Sequence, residues 1–290
     1  MEKETKKSFS DRWRSESWVC LAAFLAALIV TYGIAFRNGT SNLAAHLFSI
    51  ALTLLAVTVQ NYLSPRRSLA EVAIRSLLLG QVAGLGVAVA TSSSSIWMFG
   101  AYLVFLAGFH WSEYLSVSIF CPLNLSTSSF MLYHSPAYVV ATVASWVEFT
   151  IIQYFWPGFR NISAISYLGA LFCVVGECLR KAAMATASKS FNHVVEDRKR
   201  EEHQLVTNGI YGICRHPSYL GWWIFAVGTQ IALQNPLCAL AYFCGAQRFF
   251  AERVAYEEER LVDFFGTRYV EYRRRVPLLL PFIRDAGKEE

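Results

Sequence analysis

The chain has 290 residues, a mean hydropathy of +0.35, and charged side chains at only 16% of its positions. A soluble domain carries about a quarter, so the composition argues against an ordinary water-soluble globule and excludes a disordered chain. Only seven charges fall between Trp18 and Trp156, whereas 16 basic and 13 acidic residues fall between Arg180 and Glu290. This split predicts a membrane-embedded body with a polar C-terminal face.

Apolar runs long enough to cross a bilayer follow one another along the chain. A helix needs about 20 apolar residues for this. The candidates are 18–36, 43–63, 69–90, 96–120, 136–156 and 163–185, followed by a shorter pair at 218–234 and 236–251. We therefore predict an all-α polytopic membrane bundle of about eight transmembrane helices, with a cytosolic cofactor-binding loop and a C-terminal helix. It would form one domain, in which 1–160 supply the N-terminal spans and 161–290 the catalytic core.

Local signals refine this parse. The Gly80-Gln-Val-Ala-Gly84 pattern in the third run indicates close helix packing. Asn235 is a good helix cap and Pro236 suits a first helical position, so the last two runs should form a tight hairpin. The seven cysteines form no CxxC pair and lie mostly in apolar runs, which is typical of small buried hydrophobes.

The basic residues predict the orientation of the bundle. If the runs alternate across the membrane, 23 lysines and arginines lie on the side of the N-terminus and only Arg37 and Arg160 on the other. Cytoplasmic loops carry the excess of basic residues, so both termini should be cytosolic. This dispersed positive charge needs no nucleic acid to explain it.

Few motifs of soluble enzymes occur. Glycine-rich phosphate loops and the GxSxG elbow are absent from the sequence, and no His/Cys set with metal-ligand spacing accompanies His110 and Glu113. We expect neither a Rossmann dinucleotide site nor a metal. Acidic residues within apolar runs should face polar cavities, and we expect Glu113 or Glu148 on the inner wall of a site.

Two polar stretches are the places where chemistry is expected. Residues 189–221 form a turn-rich loop in which Arg215-His216-Pro217 opens a helix, and a helix N-terminus favours anionic or hydrogen-bonding ligands. In residues 247–276, Arg253 and Glu257 lie one helical turn apart and share a face. The plainer interpretations are a basic membrane-surface loop and a solvated charge face, respectively.

These stretches resemble a known family. The segments HQLVTNGIY at 203–211, RHPSYLGWW at 215–223, NP at 235–236 and ERVAYEEERLVDFFGTRYVEYRRRVPLLLPFI at 252–283 are similar to the isoprenylcysteine carboxyl methyltransferases. The similarity extends over nearly the whole chain, with FHWSEY at 109–114 and SFNHVVE at 190–196. The RHPxYxG motif alone is shared with phospholipid N-methyltransferases and membrane sterol reductases, but the ordered combination is specific.

The resemblance implies an enzyme of the endoplasmic reticulum membrane. Such an enzyme uses S-adenosylmethionine to esterify the terminal carboxylate of a farnesylated or geranylgeranylated cysteine on processed CaaX proteins, such as small GTPases. Arg253 matches the family position near the substrate carboxylate, and we take it as the catalytic and substrate-binding residue. The implied cofactor contacts are Glu196, His203, Gln204, Leu205, Val206, Tyr211, His216, Pro217, Ser218, Tyr219 and Glu257.

Other functions remain open at this point. A phospholipid N-methyltransferase would need a site for an amine headgroup, which Arg253 would repel. An NADPH-dependent sterol reductase and a lipid-binding or transport protein without catalysis are the further alternatives. Within the acidic run 257–259, the register of the cofactor-binding glutamate is also open.

Overall fold

The structure is a computed structural model that describes residues 2–38, 67–92, 95–133, 135–199 and 203–283. These fall into two compact units, within residues 1–134 and 135–290. In the first unit, helix α1 spans Glu2–Asn38, α2 Arg67–Thr91 and α3 Trp97–Phe120. The second unit contains α4 Pro136–Phe155, α5 Ser163–Ala187, α6 Pro217–Leu233, α7 Pro236–Phe265 and α8 Thr267–Arg275. The described ranges contain no β-strand.

Five helical segments within these ranges are long and apolar enough to cross a membrane. They are Arg14–Arg37, Leu69–Thr91, Trp97–Phe120, Pro136–Phe155 and Ser163–Ser190. The prediction of an all-α membrane protein is thereby confirmed. The count of eight spans stays a prediction, because the run 43–63 lies outside the described residues and α6 has only 17 residues. The single-domain organisation also stays a prediction.

In the first unit, α2 packs between α1 and α3. A Cβ atom added to Gly80 would lie 2.3 Å from the carbonyl oxygen of Phe24, and one added to Gly84 would lie 2.6 Å from that of Leu28. Only glycine permits such an approach, so the prediction of close packing at this glycine pair is confirmed. The buried Cys20 and Phe24 belong to the core beside it.

In the second unit, α5 and α6 cross closely through glycines. A Cβ on Gly176 would lie 2.5 Å from the carbonyl oxygen of Gly221, and one on Gly169 would lie 2.1 Å from the backbone nitrogen of Ala232. This contact lets Arg180 of α5 donate a hydrogen bond of 2.8 Å to the hydroxyl of Ser218 in the first turn of α6. The crossing therefore fixes the end of α6 at which the candidate site forms.

The predicted hairpin between α6 and α7 is confirmed, since α6 ends at Leu233 and α7 begins at Pro236. The expectation for Asn235 is wrong in part: it occupies the N-cap position, but its side chain makes no capping bond. Instead Glu148 accepts hydrogen bonds from the amides of Leu237 and Cys238 at 2.8 and 2.7 Å. A carboxylate there satisfies unpaired amides and opposes the helix dipole, so Glu148 caps α7.

Arg160 makes a second set of polar contacts near the start of α7. Its guanidinium donates to the carbonyl oxygens of Leu233 and Phe149 at 2.9 and 3.1 Å and to the Asn235 side chain at 3.1 Å. The guanidinium also lies 4.1 Å from the centroid of the Phe149 ring. Because each of its three guanidinium nitrogens donates to a buried acceptor, this arginine joins α4 to the hairpin.

Candidate active site

The candidate site lies within the second unit, where three segments meet. They are the irregular loop that precedes α6, the second half of α7, and the short α8. Pro217 occupies the first position of α6, where its fixed φ suits a helix start and its missing N–H costs no hydrogen bond. The chain after α8 is bonded to this loop, since the amide of Arg215 donates to the carbonyl oxygen of Pro277 at 3.1 Å.

Four charged side chains form a cluster at one side of the site. The Arg215 guanidinium donates to Glu258 Oε1 at 2.9 Å, and His216 Nε2 lies 3.2 Å from the same oxygen. The other ring nitrogen of His216, Nδ1, lies 3.5 Å from Glu257 Oε2. Two positive and two negative groups thus neutralise one another, which is the condition under which charges are tolerated in a buried position.

This arrangement keeps His216 protonated. Burial disfavours the imidazolium, but the hydrogen bonds and charges of Glu257 and Glu258 outweigh it and raise the pKa of His216 to about 9. Burial likewise works against both carboxylates, yet His216 and the neighbouring arginines lower the pKa of each glutamate overall. At neutral pH all four side chains of this cluster are therefore charged, and positive and negative groups alternate.

The side chain of Tyr219 connects His216 to Arg253. The rings of His216 and Tyr219 are stacked, with centroids 5.4 Å apart and planes inclined by 6°. The Arg253 Nε donates a hydrogen bond of 2.7 Å to the Tyr219 hydroxyl, and its Nη2 donates to the carbonyl oxygen of His193. On its other side the guanidinium lies 5.9 Å from the centroid of the partly exposed Phe249 ring. Arg253 is thus held between a polar site and an apolar surface.

A cavity of about 670 Å³, including its open mouth, adjoins these groups. One part of its wall is charged and includes His216 and Glu257, whereas another is apolar and includes Leu205, Leu261 and Phe265. Such a cavity suits a ligand with a charged part and a flat apolar part.

Most of the cofactor contacts predicted from the sequence line this cavity. They are His203, Gln204, Leu205, Val206, Tyr211, His216, Ser218, Tyr219 and Glu257. Three predicted site residues do not line it. Pro217 is buried at the helix start, and Arg253 is hydrogen-bonded to the Tyr219 hydroxyl. Glu196 accepts a hydrogen bond from Asn192, which does line the cavity.

The structure also brings side chains to the cavity that the sequence analysis missed. Tyr269 and Tyr272 of α8 line it, and the Tyr272 hydroxyl donates a hydrogen bond of 2.7 Å to the carbonyl oxygen of Tyr211. Their spacing of three residues on a charged helix, with both rings on one face, was the available signal. The expectation that Glu148 faces this site is wrong, since it caps α7 and is not part of the cavity wall.

The fold and this site define an α-helical membrane protein with an open, partly charged cavity beside its polar C-terminal helices. The sequence profile of the isoprenylcysteine carboxyl methyltransferase family matches residues 168–263, which belong to the second unit. Protein-S-isoprenylcysteine O-methyltransferases from Mus musculus and Homo sapiens are 44% and 43% identical to this chain. They cover 95% and 93% of it, and the matches span 96% and 94% of their own lengths.

A solved structure is similar over nearly the same length. It is that of a eukaryotic intramembrane Ras methyltransferase, described as an isoprenylcysteine carboxyl methyltransferase, with a TM-score of 0.87 and 37% sequence identity. The match covers 92% of this chain and 98% of the other. The chain belongs to the isoprenylcysteine carboxyl methyltransferase family, and the resemblance seen in the sequence is confirmed. It is therefore an enzyme, and this membership sets aside the reductase and the non-catalytic alternatives.

Proposed function

We propose that this chain transfers a methyl group from S-adenosylmethionine to the carboxylate of a prenylated C-terminal cysteine on processed CaaX proteins, small GTPases among them. The observation that carries the proposal is the convergence of the 203–219 loop and Glu257 on one cavity, with Arg253 hydrogen-bonded to the cavity residue Tyr219. We further propose that it works in the endoplasmic reticulum membrane as an eight-span protein with both termini in the cytosol, as the distribution of basic residues favours.

The lining of the cavity fits the methyl donor in its chemistry. S-adenosylmethionine, when bound, would supply a sulfonium-activated methyl group for in-line attack by a carboxylate oxygen, with S-adenosylhomocysteine as the leaving group. His216 and Glu257 offer opposite charges to an amino-acid group, and Leu205, Leu261 and Phe265 offer apolar surface to a purine. The 203–206 backbone supplies further donors and acceptors, and the amide of Gln204 already donates to Ser190 Oγ at 3.2 Å.

The substrate carboxylate needs no general base in this site. Its ordinary pKa is far below 7, so it arrives ionised. What limits a hydrated carboxylate is its water shell and its freedom to move, and a dry site that holds it against the methyl group removes both obstacles. The residues that matter most are therefore those that orient the carboxylate and exclude water.

Arg253 has the geometry for the orienting role. Its planar, permanently charged guanidinium can bind a carboxylate through two parallel hydrogen bonds. The bonds to Tyr219 and to the His193 carbonyl fix the plane of the guanidinium before a substrate arrives. Because too strong an ion pair would weaken the nucleophile, we assign Arg253 the positioning of the carboxylate and the hydroxyl of Tyr219 the positioning of Arg253.

The apolar surroundings of Arg253 suit a lipid-tailed substrate. A prenyl chain gains about 0.8 kcal/mol for each CH₂ group that it buries, so it partitions into the bilayer. Phe249 lies beside the guanidinium, and the same helix exposes Leu237 and Leu240 along its length. A prenylated cysteine could therefore keep its chain against α7 while its carboxylate reaches Arg253.

Methyl transfer with purified protein tests the proposal. Protein in lipid nanodiscs is mixed with methyl-labelled S-adenosylmethionine and N-acetyl-S-farnesylcysteine, and the expected product is a base-labile methyl ester. Calorimetric titration with S-adenosylhomocysteine and with NADPH separates the classes of cofactor, and only the former should bind. We expect His216→Ala to weaken binding of S-adenosylhomocysteine. Absence of the ester together with binding of NADPH would contradict the proposal.

A further inference from the structure

A buried tyrosine in the cavity wall has a hydroxyl group without a partner. Tyr269 of α8 is 1% exposed, and within the described residues its hydroxyl oxygen makes no hydrogen bond. Buried polar groups are almost always hydrogen-bonded, so one that is not calls for an explanation. Because Tyr269 lines the cavity, a bound ligand is the partner that the position offers.

Tyr272, three residues further along α8, shows that this is a property of one position and not of the helix. It is also buried and also lines the cavity, and its ring centroid lies 5.9 Å from that of Tyr269. Its hydroxyl, however, is satisfied by the Tyr211 carbonyl oxygen. The two neighbouring phenols thus differ in their hydrogen bonding. The Tyr272 hydroxyl donates to the loop, whereas the Tyr269 hydroxyl makes no hydrogen bond to any residue that the structure describes.

The surroundings of Tyr269 indicate which part of a ligand would meet it. Its ring belongs to an apolar cluster with Tyr272 and Val276, against which the cavity residues Leu205, Leu261 and Phe265 pack. A flat, weakly polar group fits this wall, and the charged groups of an amino acid are better served by His216 and Glu257. Of the two parts of the proposed methyl donor, the adenosine part is the one that suits Tyr269.

The phenol of Tyr269 can only act as a neutral donor or acceptor. Burial, reinforced by the nearby negative charge of Glu258, raises its pKa, so the hydroxyl keeps its proton throughout the physiological range. Adenosine presents ring nitrogens and ribose oxygens that accept hydrogen bonds, and a protonated hydroxyl sealed from water is a complementary donor.

We propose that Tyr269 is a further cofactor-binding residue, whose hydroxyl donates a hydrogen bond to an acceptor atom in the adenosine part of the methyl donor. The inference rests on the proposed use of S-adenosylmethionine. It assigns to α8 a direct part in recognition of the cofactor, in addition to its packing beneath the loop.

The paired variants Tyr269→Phe and Tyr272→Phe test this inference with two readouts. Calorimetry with S-adenosylhomocysteine should show about a tenfold loss of affinity for Tyr269→Phe, equivalent to about 1.4 kcal/mol. The thermal midpoint of the ligand-free Tyr269→Phe protein should equal or exceed that of the wild type, since removing an unbonded buried hydroxyl relieves a cost. Tyr272→Phe should instead lower the ligand-free midpoint, because it breaks the bond to Tyr211.

Competition with 5′-methylthioadenosine, which lacks the amino-acid part, tests whether the hydrogen bond is made to the adenosine part. We expect Tyr269→Phe to lose about tenfold in affinity for this compound as well. Wild-type affinity in this variant would overturn the inference, and so would a ligand-free destabilisation as large as that of Tyr272→Phe. A loss seen only with S-adenosylhomocysteine would overturn the assignment to adenosine. Failure of the wild-type protein to bind S-adenosylhomocysteine at all would instead contradict the proposed function.

Discussion

Three consecutive glutamates of α7 have three different surroundings. Glu257 lines the cavity beside His216, Glu258 is 6% exposed and pairs with Arg215, and Glu259 is exposed beside Arg260. A helix turns by about 100° for each residue, so neighbours along the chain face different directions. Glu257 alone of the three adjoins the cavity, which favours it as the cofactor-binding glutamate.

Glu258 should be more important for stability than its neighbour. Glu258→Gln removes the carboxylate charge that Arg215 and His216 both contact, and breaking a buried ion pair costs about 3–5 kcal/mol. We expect a lower midpoint of thermal unfolding and weaker binding of S-adenosylhomocysteine. Glu259→Gln is the matched control, since the pair that it disturbs is solvent-exposed and worth less than about 1 kcal/mol. Equal midpoints for the two variants would contradict the structural role of Glu258.

Arg253 should be needed for turnover more than for binding of the methyl donor. We expect Arg253→Ala to lower kcat by about 100-fold or more, because the substrate carboxylate loses its alignment. The affinity for S-adenosylhomocysteine should change little, as Arg253 lies outside the cavity wall. Arg248→Ala removes an exposed arginine from the same helix and should retain activity. Unchanged kcat in Arg253→Ala would remove its proposed role.

The charge of His216 predicts how stability depends on pH. Its pKa is raised to about 9 from the ordinary value of 6.5, so its stabilising contribution is complete below pH 6.5 and is lost as the pH rises through 9. We expect the midpoint of thermal unfolding of the wild type to fall between pH 7.5 and about 10. In His216→Gln this fall should be smaller, and parallel curves for the two proteins would contradict the assignment.

At the scale of helices, glycine spacing decides how closely neighbours approach. The motif at Gly80 and Gly84 was legible in the sequence because its spacing of four is an established packing pattern. The crossing of α5 and α6 uses Gly169 and Gly176, which are seven residues apart. That spacing also returns to one helical face, but single-sequence inspection gives no reason to pair it with glycines on another helix. The tightest contact in the second unit was therefore missed.

A methyl group at this crossing should disturb both packing and the site. A Cβ at Gly221 would lie 2.5 Å from the Gly176 carbonyl oxygen and 2.8 Å from the Arg180 nitrogen, and backbone atoms cannot step aside cheaply. We expect Gly221→Ala to cost about 1–3 kcal/mol in unfolding free energy. Gly245→Ala is the control, since nothing lies within 4 Å of its added Cβ and the helix gains up to about 1 kcal/mol.

At the scale of the molecule, the sequence was informative about class and less so about assembly. Hydropathy gave the membrane helices, because the bilayer imposes length and polarity on each segment separately. The cavity wall contributed by the 203–219 loop and Glu257 followed from motifs that the family carries. The role of Glu148 as a cap depends on a contact between distant segments, which no local pattern encodes. The spacing of Tyr269 and Tyr272 places both on one face of α8, but it does not show that this face meets the cavity.

The chain after α8 ties the site together, which predicts a sharp limit to truncation. Cys214 Sγ donates to the Leu278 carbonyl oxygen at 3.0 Å, and Arg215 donates to that of Val276 at 2.7 Å. A chain ending at Arg275 loses these acceptors and the buried Leu278 and Leu280. We expect it to unfold at a lower temperature and to bind S-adenosylhomocysteine poorly. A chain ending at Ile283 keeps them and should match the full-length protein in both measurements.

Helix α7 is fastened at two points, at its first turn by Glu148 and five turns later by His216. The twenty steps from Leu237 to Glu257 rise about 30 Å, which equals the hydrocarbon thickness of a bilayer. The two contacts thus fix the number of residues between them. Residues in this segment can be substituted, but none can be added or removed. A single inserted residue would rotate the second half by about 100° and place Glu252, in place of Arg253, at the position that meets the substrate carboxylate.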